Sequence, residues 1–259
     1  HTAYRRQRQM CIRDRDLSQA VTVLSSDDLD KKQISTFVDI SAIAPGVNVA
    51  KNEGFKTVIT IRGVGYETNQ NAIATPSVSY HLDGIYIASP YSLQTEFMDL
   101  ERIEVLRGPQ GTLFGQNSTG GAINVITAAP SLEESSSYGD ITIGDYSLVK
   151  TRASFNRPLS QTVAVRASFI THKRDGFTDN LSTGQDLDDA DSISARIRFL
   201  YQPSDTFRAN FTAQIFDENR NGSAQKGLLD TTTDPRKLRQ NSQTEHKLEA
   251  SLYLSLIHI

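Results

Sequence analysis

Residues 97–127, which read FMDLERIEVLRGPQGTLFGQNSTGGAINVIT, decide the fold of this chain. A short acidic and apolar lead is followed by five glycines within fourteen residues, and then at once by the β-branched run AINVIT. Glycines this dense indicate backbone with positive φ, or segments in such close contact that a Cβ would clash. The run after them predicts a strand. We call residues 108–121 the glycine segment; its glycines are Gly108, Gly111, Gly115, Gly120 and Gly121.

Two phosphate-binding motifs also contain dense glycines, and neither fits this segment. A Walker loop ends in Gly-Lys-Ser/Thr, but no lysine lies between Lys56 and Lys150. A dinucleotide fingerprint has G-x-G-x-x-G between a strand and a helix, whereas here the spacing differs and a strand follows. No nucleophile, base and orienting group stand together either. The sequence therefore argues against phosphate binding and against an enzyme.

The string RIEVLRGPQGTLFGQNSTGGAINVIT resembles the signature of the plug domain of TonB-dependent outer-membrane receptors. Several earlier segments resemble the same domain in the same order, and together they are more specific than any single motif. They are VTVL at 21–24, residues 39–47 ending in Pro-Gly-Val, TIRGVG at 60–65 and VSYHLDGIYI at 78–87. The resemblance is strong over residues 16–130, which we expect to form an α+β plug domain.

Turn and capping residues predict the elements of this domain. Helix-cap residues predict a helix over 27–34, and a second helix is expected over 37–43. Two arms of alternating apolar residues meet at Asp83-Gly84, the favoured sequence for a tight hairpin turn. His81 in the first arm has no partner at metal-ligand spacing, so we expect a packed or solvent-facing histidine. A short helix is expected over 93–100.

After Pro130 the pattern changes to period-two alternation. Residues 131–137 are acidic and rich in serine, and they predict a linker. In residues 192–202, apolar and aromatic side chains then share one strand face, while serine, arginine and glutamine share the other. Six strands of this kind are predicted, at 138–144, 148–156, 162–172, 192–202, 207–217 and 245–254.

The length of these strands and the spacing between them favour a membrane barrel. Segments of about ten residues suit a tilted crossing of a bilayer, with lipid on one face and a wet lumen on the other. A soluble sandwich alternates in the same way, so the connections decide. Short turns at 157–161 and 203–206 fall at one end of the strands, and long loops at 174–191 and 218–244 fall at the other. Residues 131–259 are therefore expected to be antiparallel strands of an incomplete outer-membrane β-barrel.

The composition bounds the remaining classes. The charge is slight, with 27 basic and 30 acidic residues, so no basic face indicates nucleic acid. No apolar run is long enough for a membrane helix. The acidic run DLDDAD at 186–191 lacks the glycine and glutamate of an EF-hand, so we expect a solvated loop and no metal site. Residues 1–15 hold five arginines and the only cysteine, Cys11, and are expected to be a non-native or disordered tip.

The resemblance implies a plug seated in a 22-stranded barrel of the bacterial outer membrane. Receptors of this family bind scarce nutrients, most often ferric siderophores and sometimes cobalamin, haem or saccharides. The inner-membrane TonB–ExbB–ExbD complex drives their transport, and neither a cofactor nor covalent chemistry is implied. The residues leave one alternative open: a soluble periplasmic binding or adhesive protein with an α+β head and a β-sandwich.

A plug has to fill a wide polar lumen, so we expect charged plug residues at its contact with the barrel wall. Pairing within the plug is an equally supported alternative for each of the candidates, which are Arg62, Glu101, Arg102, Glu104 and Arg107. The loops 66–75 and 89–95 are expected to face the ligand. Their candidate contacts are Tyr66, Asn69, Asn71 and Tyr91.

Overall fold

The computed structural model describes residues 20–52, 56–65, 76–88 and 96–259. The chain divides into two compact units, one that ends at Thr127 and one that runs from Ala128 to Ile259. The division falls a few residues before the boundary that the composition suggested at Pro130. Among the described residues, no helix has the length and apolar character needed to cross a membrane.

A five-stranded sheet forms the centre of the first unit. Its strands, in spatial order, are β1 (Ala20–Ser25), β7 (Leu100–Arg107), β8 (Gly121–Thr127), β5 (Val78–Leu82) and β6 (Ile85–Tyr86). Neighbouring strands pair antiparallel except β5 and β8, which are parallel. The predicted strand after the glycines is confirmed as β8, and it pairs with the strand that precedes the glycine segment.

Short helices and a second sheet complete the first unit. They are α1 (Ser26–Lys31), α2 (Phe37–Ile40), α3 (Gly111–Phe114), and the antiparallel strands β2 (Val47–Asn52), β3 (Lys56–Ile61) and β4 (Val64–Gly65). The two predicted helices form, although both are shorter than expected. Each begins at a capping box: the Ser25 hydroxyl accepts from the Asp28 N–H at 3.2 Å, and the Asp39 carboxylate accepts from the Thr36 N–H at 2.8 Å.

The hairpin of β5 and β6 has the predicted turn. Asp83 and Gly84 both have positive φ, at 52° and 82°, as a primed two-residue turn requires. The Asp83 carboxylate also accepts from the Thr127 N–H at 2.9 Å and from its hydroxyl at 2.8 Å. The turn is therefore tied to the end of β8, and the predicted hairpin is confirmed.

The helix expected over 93–100 is wrong in its described part. Residues 96–99 are not helical, and Leu100 begins β7. This strand pairs with β1 on one side and β8 on the other, so long-range pairing outweighs the local helical tendency. Phe97 instead packs into the core, where its ring centroid lies 4.8 Å from that of Phe37.

Six long antiparallel strands form the main sheet of the second unit. In spatial order they are β9 (Ser136–Gly144), β10 (Leu148–Pro158), β11 (Val163–Arg174), β14 (Ala190–Tyr201), β15 (Arg208–Asn221) and β17 (Glu245–His258). All six predicted strands are confirmed. The last strand extends further than its alternation suggested.

The burial of this sheet is reversed relative to a soluble protein. On β14 the side chains of Arg196 and Arg198 are both only 6% exposed, whereas Ile197 and Phe199 are 39% and 42% exposed. A β-sandwich would bury its apolar face, so this arrangement favours the barrel over the soluble alternative. The other strands show the same exposed apolar face, with Ile141, Ile143, Val149, Phe155, Phe169, Phe211 and Ile215.

The two long loops contain a small sheet that the sequence did not predict. Its spatial order is β13 (Gln185–Leu187), β12 (Thr178–Asn180) and β16 (Lys237–Leu238), and β12 pairs parallel with β16. Leu187 and Leu238 are buried within it. The two loops therefore fold together as one structure.

Replacing Ile197 by arginine is expected to destabilise the protein in a bilayer by about 2–4 kcal/mol, because it puts a charge in the middle of the apolar face of β14. Asp191→Arg is the matched control, since Asp191 lies on the same face at the end of the strand, where the expected cost is about 0–1 kcal/mol. Urea unfolding in phospholipid vesicles measures both variants. Equal costs at the two positions would contradict a lipid-facing surface.

Candidate functional site: the glycine segment and the outer loops

The glycine segment is a closed loop between β7 and β8. The Gly108 N–H donates to the Gly120 carbonyl at 3.0 Å, and the Gln110 N–H donates to the Ser118 carbonyl at 2.9 Å. Ser118 Oγ also donates to the Gly115 carbonyl at 2.6 Å, which fixes the turn after α3. Gln110 and Ser118 are buried, so this loop is packed against its own unit.

Two of the glycines are required by close contact. A Cβ on Gly121 would lie 2.4 Å from the Leu106 carbonyl oxygen and 2.7 Å from Ile61 Cδ1, and the φ of this residue is +151°. A Cβ on Gly120 would come within 2.9 Å of a neighbouring side chain. A Cβ on Gly111, in contrast, would meet no atom within 4 Å. The close approach that the sequence predicted is therefore located at the start of β8.

Two contacts attach the glycine segment to the β5–β6 hairpin. Asn117 Nδ2 donates to Tyr86 Oη at 2.7 Å. The Phe114 ring meets the His81 ring edge to face, with centroids 4.8 Å apart. The glycine segment is therefore held to the hairpin at two places, through Phe114 in α3 and through Asn117 after it.

His81 is a packed histidine, which is one of the two readings that its sequence position allowed. It is only 4% exposed, and the Tyr86 ring lies 5.6 Å from its other side. Neither of its ring nitrogens makes a hydrogen bond of normal geometry to the part of the chain that the structure describes. Burial lowers the pKa of His81, and the backbone of Gly84 offsets part of that lowering. The ring is therefore held in its neutral form.

Three of the charged residues expected at the plug surface form a network on β7. Arg102 Nε donates to Glu104 Oε1 at 2.7 Å, and Arg102 Nη1 donates to Glu101. The second oxygen of Glu104 accepts from Asn124 Nδ2 at 3.0 Å. Asn124 Oδ1 in turn accepts from the Gly84 N–H at 3.3 Å. The network connects β7 through β8 to the hairpin turn.

The other two charged candidates lie apart from this network. Arg107 donates to the Thr22 hydroxyl and so links β7 to β1. Arg62 is exposed, has a positive φ of 53°, and donates its N–H to the Gly46 carbonyl at 2.6 Å. Contact of the five residues with a barrel wall stays a prediction. The ligand-facing candidates lie outside the described residues; they are Tyr66, Asn69, Asn71 and Tyr91.

Two arginine side chains flank a pair of aromatic rings at the end of the second unit that carries the long loops. The Arg236 guanidinium lies 5.7 Å from the centroid of the Tyr146 ring and donates to its hydroxyl. The Tyr146 and Phe177 centroids are 6.0 Å apart, and the Arg174 guanidinium lies 4.9 Å from the centroid of Phe177. Cations at these distances are attracted to the ring faces. We call these four side chains the arginine–aromatic row.

Side-chain amides join the two long loops beside this row. Asn180 Nδ2 donates to the Gln240 carbonyl at 3.0 Å, and Asn180 Oδ1 accepts from the Gln240 N–H at 3.1 Å. Gln185 Nε2 donates to Asn221 Oδ1 at 2.9 Å and to the Thr244 carbonyl at 2.7 Å. The loops are therefore preorganised, which lowers the entropy cost of binding at their surface.

The acidic run at 186–191 takes part in the same loop structure. Asp188 accepts from the Thr178 hydroxyl at 2.8 Å and from the Ala224 N–H at 3.0 Å. No group of three His, Cys, Asp or Glu side chains is placed to hold a metal within the described ranges. The contacts of Asp188 indicate a structural role in joining the loops.

The arginine–aromatic row could not be predicted from the sequence. Tyr146 lies in a short turn, and Phe177 and Arg236 lie in polar loops without periodicity. Isolated aromatic residues in turn-rich stretches were the only local signal, and nothing in the sequence spacing brings them together.

Gly121→Ala is expected to destabilise the first unit by about 1–3 kcal/mol, because the added Cβ overlaps backbone and core atoms that cannot move freely. Gly111→Ala is the control, with an expected change within about 0.5 kcal/mol because its site is open. Native-state hydrogen exchange of the β7 and β8 amides measures both changes locally. Similar exchange rates in the two variants would show that close packing at Gly121 is not the reason for the glycine.

Acidification is expected to loosen the hairpin and the glycine segment through His81. Because burial lowers its pKa in the folded state, the unfolded chain takes up a proton first as the pH falls below the ordinary value of 6.5. This contribution to stability is therefore present above pH 6.5 and decreases as the pH falls towards the folded pKa. His81→Phe should remove the dependence and keep the ring packing.

Hydrogen exchange of β5 and β8 between pH 7.5 and 5 measures the effect. His172→Gln, which alters a histidine of the second unit, serves as the control and should leave this slope unchanged. If the exchange rates still depend on pH in the same way in His81→Phe, the pH dependence comes from another group.

Comparison with known proteins identifies the fold on both sides of Thr127. The sequence profile of the TonB-dependent receptor plug domain matches residues 13–122. The chain is 33% identical over 138 residues to the pesticin receptor of Yersinia enterocolitica, which covers 52% of this chain and 19% of that protein. It is 25% identical over 279 residues to the ferric enterobactin receptor PirA of Pseudomonas aeruginosa, covering 90% of this chain and 37% of the relative. The chain thus spans about a fifth to two fifths of the length of these relatives.

A solved structure extends the likeness to the six-stranded sheet. The ferric yersiniabactin uptake receptor FyuA from Yersinia pestis superimposes with a TM-score of 0.77 at 22% identity. The superposition covers 92% of this chain and 38% of that chain, so both units take part in it. Residues 13–122 therefore belong to the plug-domain family of the TonB-dependent receptors, which lie in the bacterial outer membrane, and the strands after Thr127 have the fold of the β-barrel of such a receptor.

Proposed function

We propose that the receptor containing this chain carries a ferric siderophore complex across the outer membrane, with energy from the TonB–ExbB–ExbD complex. The observation that carries the proposal is the reversed sheet, in which Arg196 and Arg198 are buried while Ile197 and Phe199 are exposed. Such a sheet is suited to lipid on its apolar side and to a polar lumen on the other. A plug domain precedes it in the same chain.

The plug supports gated transport rather than free diffusion. A barrel of the family's size leaves an open lumen unless another domain fills it. Charge pairs suit a plug that has to shift, because partly exposed pairs are individually weak. We propose that the plug meets the barrel wall through some of its own charged residues. The proposed contacts are Arg62, Glu101, Arg102, Glu104 and Arg107.

Two observations support an iron chelate as the cargo. PirA, a relative at 25% identity, is a ferric enterobactin receptor. The arginine–aromatic row of this chain offers two cations and two ring faces at the loop end of the barrel. This combination suits an anionic ligand with planar groups. On the plug side, we propose ligand contacts from the loops 66–75 and 89–95.

The proposal is tested by uptake of radioactive iron into cells that lack their own siderophore receptors and express the complete receptor. We expect uptake of iron from at least one ferric siderophore, and loss of that uptake to background in cells without TonB. Parallel binding assays use haem, cobalamin and an oligosaccharide. Saturable binding of one of these in place of every ferric siderophore would contradict the cargo, and uptake that persists without TonB would contradict the energy source.

The same binding assay examines the arginine–aromatic row. Tyr146→Ala is expected to weaken binding about fivefold, the effect of losing roughly 1 kcal/mol of aromatic contact. Tyr201→Ala is the matched control, because Tyr201 is an exposed tyrosine at the short-turn end of β14. Equal affinities of the two variants would remove the row from the binding site.

A further inference from the structure

Residues 128–134, which we call the strap, lie against the polar face of the barrel sheet. Asn156 Oδ1 accepts from the Ser131 N–H at 2.9 Å. Asn156 Nδ2 donates to the Ser131 carbonyl at 3.1 Å and to the Glu134 carbonyl at 2.6 Å. One side-chain amide thus pairs with both backbone groups of Ser131, as a neighbouring strand would. The composition predicted a linker here, and the structure binds part of that linker to the wall.

A second contact extends the strap across the sheet. Arg198 Nη1 donates to the Ala128 carbonyl at 3.0 Å. Asn156 is the register partner of Arg166, and Arg166 is the register partner of Arg198. These three residues therefore lie at one level on β10, β11 and β14, and the strap crosses all three strands before Ser136 begins β9.

The two wall side chains that hold the strap are shielded from water. Asn156 is 3% exposed and Arg198 is 6% exposed, and Pro130 within the strap is also buried. Polar side-chain groups buried in this way keep their hydrogen bonds, because water does not replace a lost partner there. Removing the Asn156 amide would leave the backbone groups of Ser131 without their present partner.

The position of the strap bears on how the plug is connected to the barrel. The first pair of β9 with β10 is Ser136 with Asn156. A pull on the plug that reached Ser136 would load this terminal pair first and would open β9 from β10 one pair at a time. The contacts at Ala128, Ser131 and Glu134 precede the strand in the chain, so such a pull would load them before it reached Ser136.

We propose that the strap is a fixed anchor, and that any displacement of the plug during transport ends before Ala128. Asn156 and Arg198 are its positioning residues: they hold the chain and need not touch the cargo. This inference rests on the proposed function, because it assumes that the plug is moved during uptake. It assigns the moving part of the receptor to the plug and makes residues 128–134 part of the barrel.

The first test locks the strap to the wall. Cysteines replace Ser131 and Asn156 in the complete receptor, made otherwise free of cysteine, and a short reducible thiol cross-linker joins them. We expect the cross-linked receptor to take up radioactive iron from a ferric siderophore at the same rate as the same protein after reduction. Uptake that is lost on cross-linking and regained on reduction would overturn the proposal, because the strap would then have to leave the wall.

The second test weakens the anchor and measures exposure of the strap directly. In a receptor with Ser131→Cys, maleimide labelling in living cells should be slow whether or not TonB is present. Adding Asn156→Ala should speed labelling at least about fivefold when TonB is active, the effect expected from lost hydrogen bonds. Asn156→Asp, which keeps an acceptor for the residue-131 N–H, should give an intermediate rate.

The matched control is Thr212→Ala, because Thr212 is buried at the same level on β15 as the register partner of Arg198. It should leave labelling slow. Fast labelling of the strap with Asn156 intact, or equal rates for Asn156→Ala and Thr212→Ala, would overturn the proposal. If Asn156→Ala fails to reach the membrane, the cross-linking test decides alone. Labelling needs no ligand, so a wrong cargo or absent uptake would be recognised separately.

Discussion

The register of the barrel strands is the constraint on which the rest of this structure depends. Ser168 pairs with Arg196, and Arg196 pairs with Gln214, so polar side chains line one face across three strands. Because side chains alternate, a slip of one residue would exchange the two faces and turn arginines towards lipid. Each arginine at the bilayer centre costs about 2–4 kcal/mol, so the surroundings fix the register more strongly than local strand propensity does. The strap is held by Asn156 and Arg198, whose positions this register sets.

Close packing imposes a different constraint on the plug. The parallel pairing of β5 with β8 requires a long connection, and that connection includes β6, β7 and the glycine segment. Gly121 lies where β8 meets the Leu106 carbonyl, and a side chain would separate the two strands. Gly120 and Gly121 are therefore explained by the close approach of neighbouring segments at the start of β8. Asn117 and Phe114 then hold the segment to the hairpin, so the signature stretch is a structural junction of the plug.

The structural elements that the sequence predicted correctly depend on residues close together in the chain. The elements that it missed depend on contacts between distant segments. The Asp83-Gly84 hairpin follows from two adjacent residues, and the barrel strands follow from alternation within about ten residues. The expected helix at 93–100 was wrong because β7 is defined by its partners on both sides, which no short window contains. The small sheet of the two long loops depends on a two-residue parallel pairing of Asp179–Asn180 with Lys237–Leu238. The serine-rich stretch after Pro130 has the composition of a linker, and only the distant Asn156 makes it an anchor.

The chemistry of the two units also suggests where a pulled plug would yield. Glu101 is half exposed where it pairs with Arg102, so water can replace the partner as soon as the pair opens. Asn156, in contrast, is buried, so its side-chain amide would lose its partners without gaining water if the strap came away. Opening the half-exposed ion pair therefore costs little free energy and is easily reversed. Separating the buried amide from the strap costs more. A receptor that has to move its plug and keep its barrel intact needs this difference, and the strap is the first segment of the second unit in the chain.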